Sequence, residues 1–175
     1  MVTAVRPERG GFLRPFGCGW FIREFLLGHG PEGAPVIDPD KGATQADINY
    51  QYKAALVRAF ARDSAERIIS DMVKRGIEVT PERADEIYEI ELKKVPHKYT
   101  RMRYHSFLVY FGLLKRLGWV EVTGETERSA LQENYPPGPA RTYYRLTKKG
   151  NEASMPDWSN PLFTLYPEIA AKYRR

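Results

Sequence analysis

The sequence predicts a mainly α-helical chain that carries a small antiparallel β-hairpin. Three observations carry this. Apolar residues recur at helical spacing over long stretches before residue 118, for instance Ile48, Tyr52, Ala55, Leu56 and Ala59. Apolar and polar residues then alternate over 119–123, and a second strand-forming run, TYYRL, follows at 142–146. Helix-opening threonines and helix-stopping glycines separate the helical stretches. The 175 residues suit one domain, or one domain with an elaborate insertion.

Composition narrows the function classes. Hydrophobic residues make up 42% and aromatics 13%, with 11 Tyr, which argues for a packed core and against disorder. The net charge of +5 and the pI of about 9.3 favour nucleic acid or another acidic partner. A single cysteine, Cys18, excludes an internal disulfide and any cysteine-based metal cage. The N-terminus has no apolar run of signal-peptide length, and nothing approaches about 18 consecutive apolar residues, so a cytoplasmic protein without a membrane span is expected.

In chain order, residues 1–15 carry Arg6, Arg9 and Arg14 among Pro and Gly and read as a flexible basic arm. Phe16 to Leu27 reads as a short, largely buried helix stopped by Gly28. GHGPEG at 28–33 matches a dinucleotide-binding glycine pattern literally, but no strand precedes it, so it is a turn. Asp38 and Asp40 suggest a calcium loop, yet position 49 is Asn where the closing Glu would stand. Residues 31–43 therefore read as loop, with a short extended piece at Val36 and Ile37. Thr44 with Asp47 resembles a capping box and opens a helix that runs to Gly76, about 45 Å if unbroken. That exceeds the needs of a small domain, so part of it should project or pair with another chain. Thr80-Pro81 opens the next helix, which folds back antiparallel and exposes an acidic, solvated face of Glu82, Asp85, Glu86, Glu89 and Glu91. Pro96 ends it. The strand at 119–123, a loop over 124–140, the strand at 142–146 and a turn at Thr147–Gly150 complete a hairpin with a long tip. The aromatic tail, 154–175, should dock on the body or on a partner subunit and end in a helix from about Pro167.

The stretch 99–118 organises the rest. Lys93, Lys94, Lys98, Arg101 and Arg103 fall within eleven residues, and no Asp or Glu lies between Glu91 and Glu121. Phe107, Leu108, Phe111, Leu114 and Leu117 follow. This is a helix with a cationic front, suited to a polyanion, and a rear half in the core. Tyr104 shares the face of Phe107 and is expected in the core. Val109, Tyr110 and Leu113 form a second apolar side that something must cover, and Gly112 would admit a close backbone. His29, His97 and His105 lack metal-ligand spacing, and Cys18 has no base beside it, so no catalytic residue, metal or cofactor is expected.

LLKRLGWVEV at 113–122 and YYRLTKKGNEA at 143–153 resemble the recognition helix, wing strands and exit turn of winged-helix proteins, the PadR-like and MarR-like regulators among them. The resemblance spans roughly residues 98–153. It implies a winged helix over 16–153 with an inserted helical hairpin at 57–96, a recognition helix in the DNA major groove, and a homodimer. The helix before the recognition helix is either the one from Thr44 or that at 81–95. Lys98, Arg101 and Arg103 would then meet phosphates, Arg103 or Ser106 would reach base edges, and Arg128 and Arg141 would serve the wing. Glu121, Glu125, Glu127 and Glu133 make that wing acidic. The expected function is sequence-specific binding of double-stranded DNA in transcriptional regulation. The alternative is a protein-interaction module on the same scaffold.

Overall fold

Helix α1, Cys18–Leu26, buries Phe21, Ile22, Phe25 and Leu26, whose i, i+1, i+4, i+5 spacing makes one apolar face. The computed structural model describes residues 14–97, 104–127 and 141–173, so most of the predicted basic arm lies outside the described residues. The other elements are β1, Ala43–Thr44; α2, Gln45–Lys74; α3, Pro81–Lys94; α4, Tyr104–Arg116; β2, Val120–Glu127; and β3, Arg141–Leu146. Four short helices follow: α5, Lys148–Glu152; α6, Met155–Ser159; α7, Pro161–Leu165; and α8, Pro167–Tyr173.

The fold is mainly helical with a three-stranded antiparallel sheet in the order β1-β3-β2. The extended piece expected at Val36 and Ile37 sits instead at Ala43–Thr44. It pairs Ala43 with Tyr144 and Thr44 with Tyr143, so the hairpin gains a third strand. Strands β2 and β3 pair Val120 with Leu146 and Glu121 with Arg145, and the register shifts between Val122 and Thr126. The turn expected at 147–150 continues as α5. Thr147 caps it, accepting from the Gly150 N–H at 3.0 Å and donating to the Gly118 carbonyl at 2.6 Å.

Helix α2 starts as expected. Thr44 accepts from the Asp47 N–H at 3.1 Å, and its hydroxyl donates to the Asp47 carboxylate at 2.8 Å. Its first half is core: Ile48, Tyr52 and Leu56 are fully buried, with Tyr52 5.3 Å from Phe21 ring to ring. This half packs against α1, α4 and the sheet. Helix α3 folds back on the second half, where Ala61 and Ala65 of α2 and Ile87 of α3 are buried. The head of α2 lies against α4.

Glu91 departs from the solvated face expected for it. It follows Ile87 by one helical turn, so it faces α2, where it accepts from Lys94 Nζ at 2.8 Å and Ser64 Oγ at 2.6 Å. Those two hydrogen bonds, the Lys94 one foremost, hold its carboxyl below the usual range. A carboxyl with a depressed folded-state pKa adds stability above its unfolded value, about 4.3, and loses it as pH falls through the folded value. Glu91→Gln is expected to lower the denaturant midpoint at pH 7, with the gap from wild type closing below about pH 4. An equal gap at both pH values would assign the loss to packing and not to charge.

The tail docks on the body as three short helices, where one was expected. Trp158 on α6 is fully buried, its ring 4.9 Å from that of Trp119, and its indole N–H donates to the Gly150 carbonyl at 3.0 Å. Gly19 of α1 admits it: a Cβ there would stand 2.1 Å from the Trp158 carbonyl oxygen.

Candidate nucleic-acid interface

Three side chains orient α4. Phe107, Phe111 and Leu114 recur at i, i+4 and i+7 and are fully buried, with Phe111 edge-on to Tyr144 at 5.1 Å. Anchoring that face turns His105, Ser106 and Val109 outward, where all three are exposed. The end of the helix is fixed by backbone bonds: the Gly118 N–H reaches the Lys115 carbonyl and the Trp119 N–H reaches Leu114, both at 3.0 Å. The first turn of α4 is thus held in place from its far end.

Among the predicted DNA contacts, Ser106 is exposed in this first turn. Arg141 opens β3 with its guanidinium 3.9 Å from the Asp47 carboxylate, so part of its charge is engaged at the first turn of α2. Lys98, Arg101, Arg103 and Arg128 lie outside the described residues.

Two packing expectations for α4 are overturned. Tyr104 is 44% exposed, and its neighbour Leu108 is also exposed, because the buried face is narrower than the apolar spacing suggested. The second apolar side is covered only in part. Tyr110 is tucked under the tail, its hydroxyl donating to the Trp158 carbonyl at 2.6 Å, whereas Val109 stays 56% exposed and, among the described residues, nothing would meet a Cβ at Gly112 within 4 Å.

Two side-chain arrangements on this face were not legible in advance. The Lys115 ammonium lies 4.7 Å above the Tyr144 ring and has no carboxylate partner among the described residues. The pairing register that brings Tyr144 there depends on a strand contact, for which a Lys-to-Tyr spacing of 29 residues carries no signal. Arg145 pairs with Glu121 at 2.9 Å, which cancels part of the acidity expected of the wing. Arg116, by contrast, is drawn away to the Tyr166 hydroxyl and ring.

Burial pushes the Cys18 thiol up to about 12 against a smaller lowering by Arg14, so the thiol is protonated at neutral pH. Burial likewise raises the phenols of Tyr52 and Tyr110. Among the described residues no group of three or more His, Cys, Asp or Glu could hold a metal ion, and no helix is long and apolar enough to cross a membrane. Comparison with known proteins finds no matching family model, no matching curated sequence and no matching solved structure.

Proposed function

We propose that this chain is a winged-helix protein that binds double-stranded DNA in a sequence-specific manner, as a homodimeric transcriptional regulator. The observation that carries the reading is topological. Helix, short strand, helix, helix, strand, strand follow one another as α1, β1, α2, α4, β2, β3, and the first strand joins the hairpin through β3. That is the order of a winged helix, with α3 and the outer half of α2 as the insertion. In this reading α4 is the recognition helix. Its exposed first turn, preceded by Lys98, Arg101 and Arg103, enters the major groove. The cations position the protein on phosphates, and Arg103 or Ser106 reads base edges; a bidentate Arg–guanine contact discriminates by about 1–3 kcal/mol. Arg128 and Arg141 serve the wing.

A second reading is a winged-helix module that binds protein. The exposed Leu108 and Val109 on α4, with Glu125 on β2, favour it. Fluorescence anisotropy of labelled random and selected duplexes across a salt series separates the two. A DNA binder loses affinity linearly on a log–log plot, by about 0.9 per neutralised phosphate. The double variant Arg101→Gln, Arg103→Gln should weaken binding to every duplex and flatten the slope by about 1.8. Absence of duplex binding at about 50 mM salt, where phosphate contacts are strongest, would discard the regulator and leave the interaction module.

A further inference from the structure

We propose that the cavity between the 38–42 turn, the first turn of α2 and β3 is a binding site for a single free α-amino acid with an apolar side chain. The proposal stands apart from the DNA reading, because none of the residues that line this cavity belongs to α4.

The cavity has a volume of about 290 Å³, at the small end of the range for ligand pockets, about 300–1,000 Å³. Its apolar lining is the edge of the core: Phe25 of α1 is buried there, and Ile37 packs against the same cluster. Tyr143 of β3 adds an aromatic wall. The turn at the rim is fixed by its own bonds. The Gly42 N–H donates to the Asp38 carbonyl, and the Asp40 N–H donates to Asp38 Oδ1, both at 2.9 Å. Asp38 and Lys41 are thereby held on one turn beside the same opening.

Opposite charges share this small space without neutralising each other. The Lys41 ammonium stands 5.6 Å from the centre of the Tyr143 ring. Among the described residues it makes no ion pair, although Asp38 and Asp47 line the same cavity. Asp47 is engaged elsewhere: one oxygen accepts the Thr44 hydroxyl at 2.8 Å, and the other lies 3.9 Å from the Arg141 guanidinium. Asp38 spends Oδ1 on its own turn, and its second oxygen has no hydrogen-bond partner among the described residues. A purely cationic ligand would be opposed by Lys41, and a purely anionic one by the two carboxylates. A zwitterion suits both signs, its carboxylate on Lys41 and its ammonium on Asp38. An apolar side chain on the same molecule covers Phe25 and Ile37, and the volume limits the occupant to one amino acid and excludes a peptide.

The test is isothermal titration calorimetry of the full chain, without DNA, against L-leucine, L-methionine and L-phenylalanine, each beside its N-acetyl and its amide form. At least one of the three amino acids is expected to saturate with a Kd on the order of 0.1–1 mM. N-acetylation removes the ammonium and amidation removes the carboxylate, so each should weaken binding about tenfold. Glycine, which has no side chain to cover the apolar lining, should not saturate below about 10 mM. Two variants assign the charges. Lys41→Gln should bind the amino acid about tenfold more weakly and no longer distinguish it from its amide; Asp38→Asn should do the same for the N-acetyl form. Both positions are exposed, and Asn keeps the acceptor for the Asp40 N–H, so circular dichroism should stay that of wild type. No saturation by any of the three amino acids below about 10 mM, blocked forms that bind as well as the parent, or variants that bind like wild type would overturn the proposal. Its failure is distinct from failure of the DNA reading, since no duplex enters this assay and no amino acid enters the salt series.

Discussion

Trp158→Ala should unfold at a temperature roughly 8–15 °C below wild type. Removal of a fully buried Trp costs about 3–5 kcal/mol in transfer and cavity terms, and a chain of this size loses about 2–4 °C for each kcal/mol. Trp158 is fully buried against Trp119, and its indole N–H is the hydrogen-bond donor to the Gly150 carbonyl. Truncation removes the ring and the donor together. The main-chain contact of residue 158 with Gly19, and the carbonyl that takes the Tyr110 hydroxyl, are retained, so the loss reads the side chain alone. Trp158→Phe separates the terms: it keeps most of the apolar area, loses the N–H, and should cost about 1–2 kcal/mol. Denaturant unfolding followed by the remaining tryptophans measures both. A loss below about 1 kcal/mol for the alanine variant would mean that the tail is not part of the cooperative core.

The tail illustrates what the sequence could and could not deliver. Its apolar richness announced that it docks. Which side of α4 it would cover was not legible, because Tyr104 and Tyr110 lie on different apolar flanks of one helix and local spacing does not choose between them. Trp158 makes the choice: its carbonyl takes the Tyr110 hydroxyl, and Tyr104 is left in solvent. Helix boundaries were legible because their chemistry is local. Thr44 and Thr80 bond to amides three residues on. Glu91 was misjudged as solvated although its spacing from Ile87 already placed it on the packed face. Its partner Ser64 lies on another helix, and only the fold brings the two together. The candidate site divides in the same way. The cationic run before α4 is plain in the sequence. The cation held over Tyr144 and the neutralisation of Glu121 by Arg145 depend on strand register, which is set at a distance.

The two-residue strand β1 is the sharpest case, and Gly42 before it gives the second large expected effect. Ala43 and Thr44 carry too little pattern to be read as a strand. Their pairing is with residues a hundred positions later. Gly42 has φ +71°, a conformation that costs other residues about 1–2 kcal/mol. A Cβ at this position would also stand 1.9 Å from the Tyr144 carbonyl oxygen, a main-chain atom that cannot turn aside. Gly42→Ala must therefore push β1 away from β3, losing strand pairing worth about 1 kcal/mol per bond in addition to the backbone term. A total of about 3 kcal/mol is expected, or roughly 6–12 °C in Tm. The consequence goes beyond stability. Thr44 is at once the second residue of β1 and the cap of α2, so the same two residues fix where α2 begins relative to β3, and β3 holds Phe111 of α4 through Tyr144. Hydrogen exchange should show protection lost first at Ala43 and Tyr144, while the amides of α4 beyond Phe107 remain slow. Uniform loss across α4 would mean that the short strand supports the whole domain. No loss at Tyr144 would mean that β1 contributes nothing to placing the two helices.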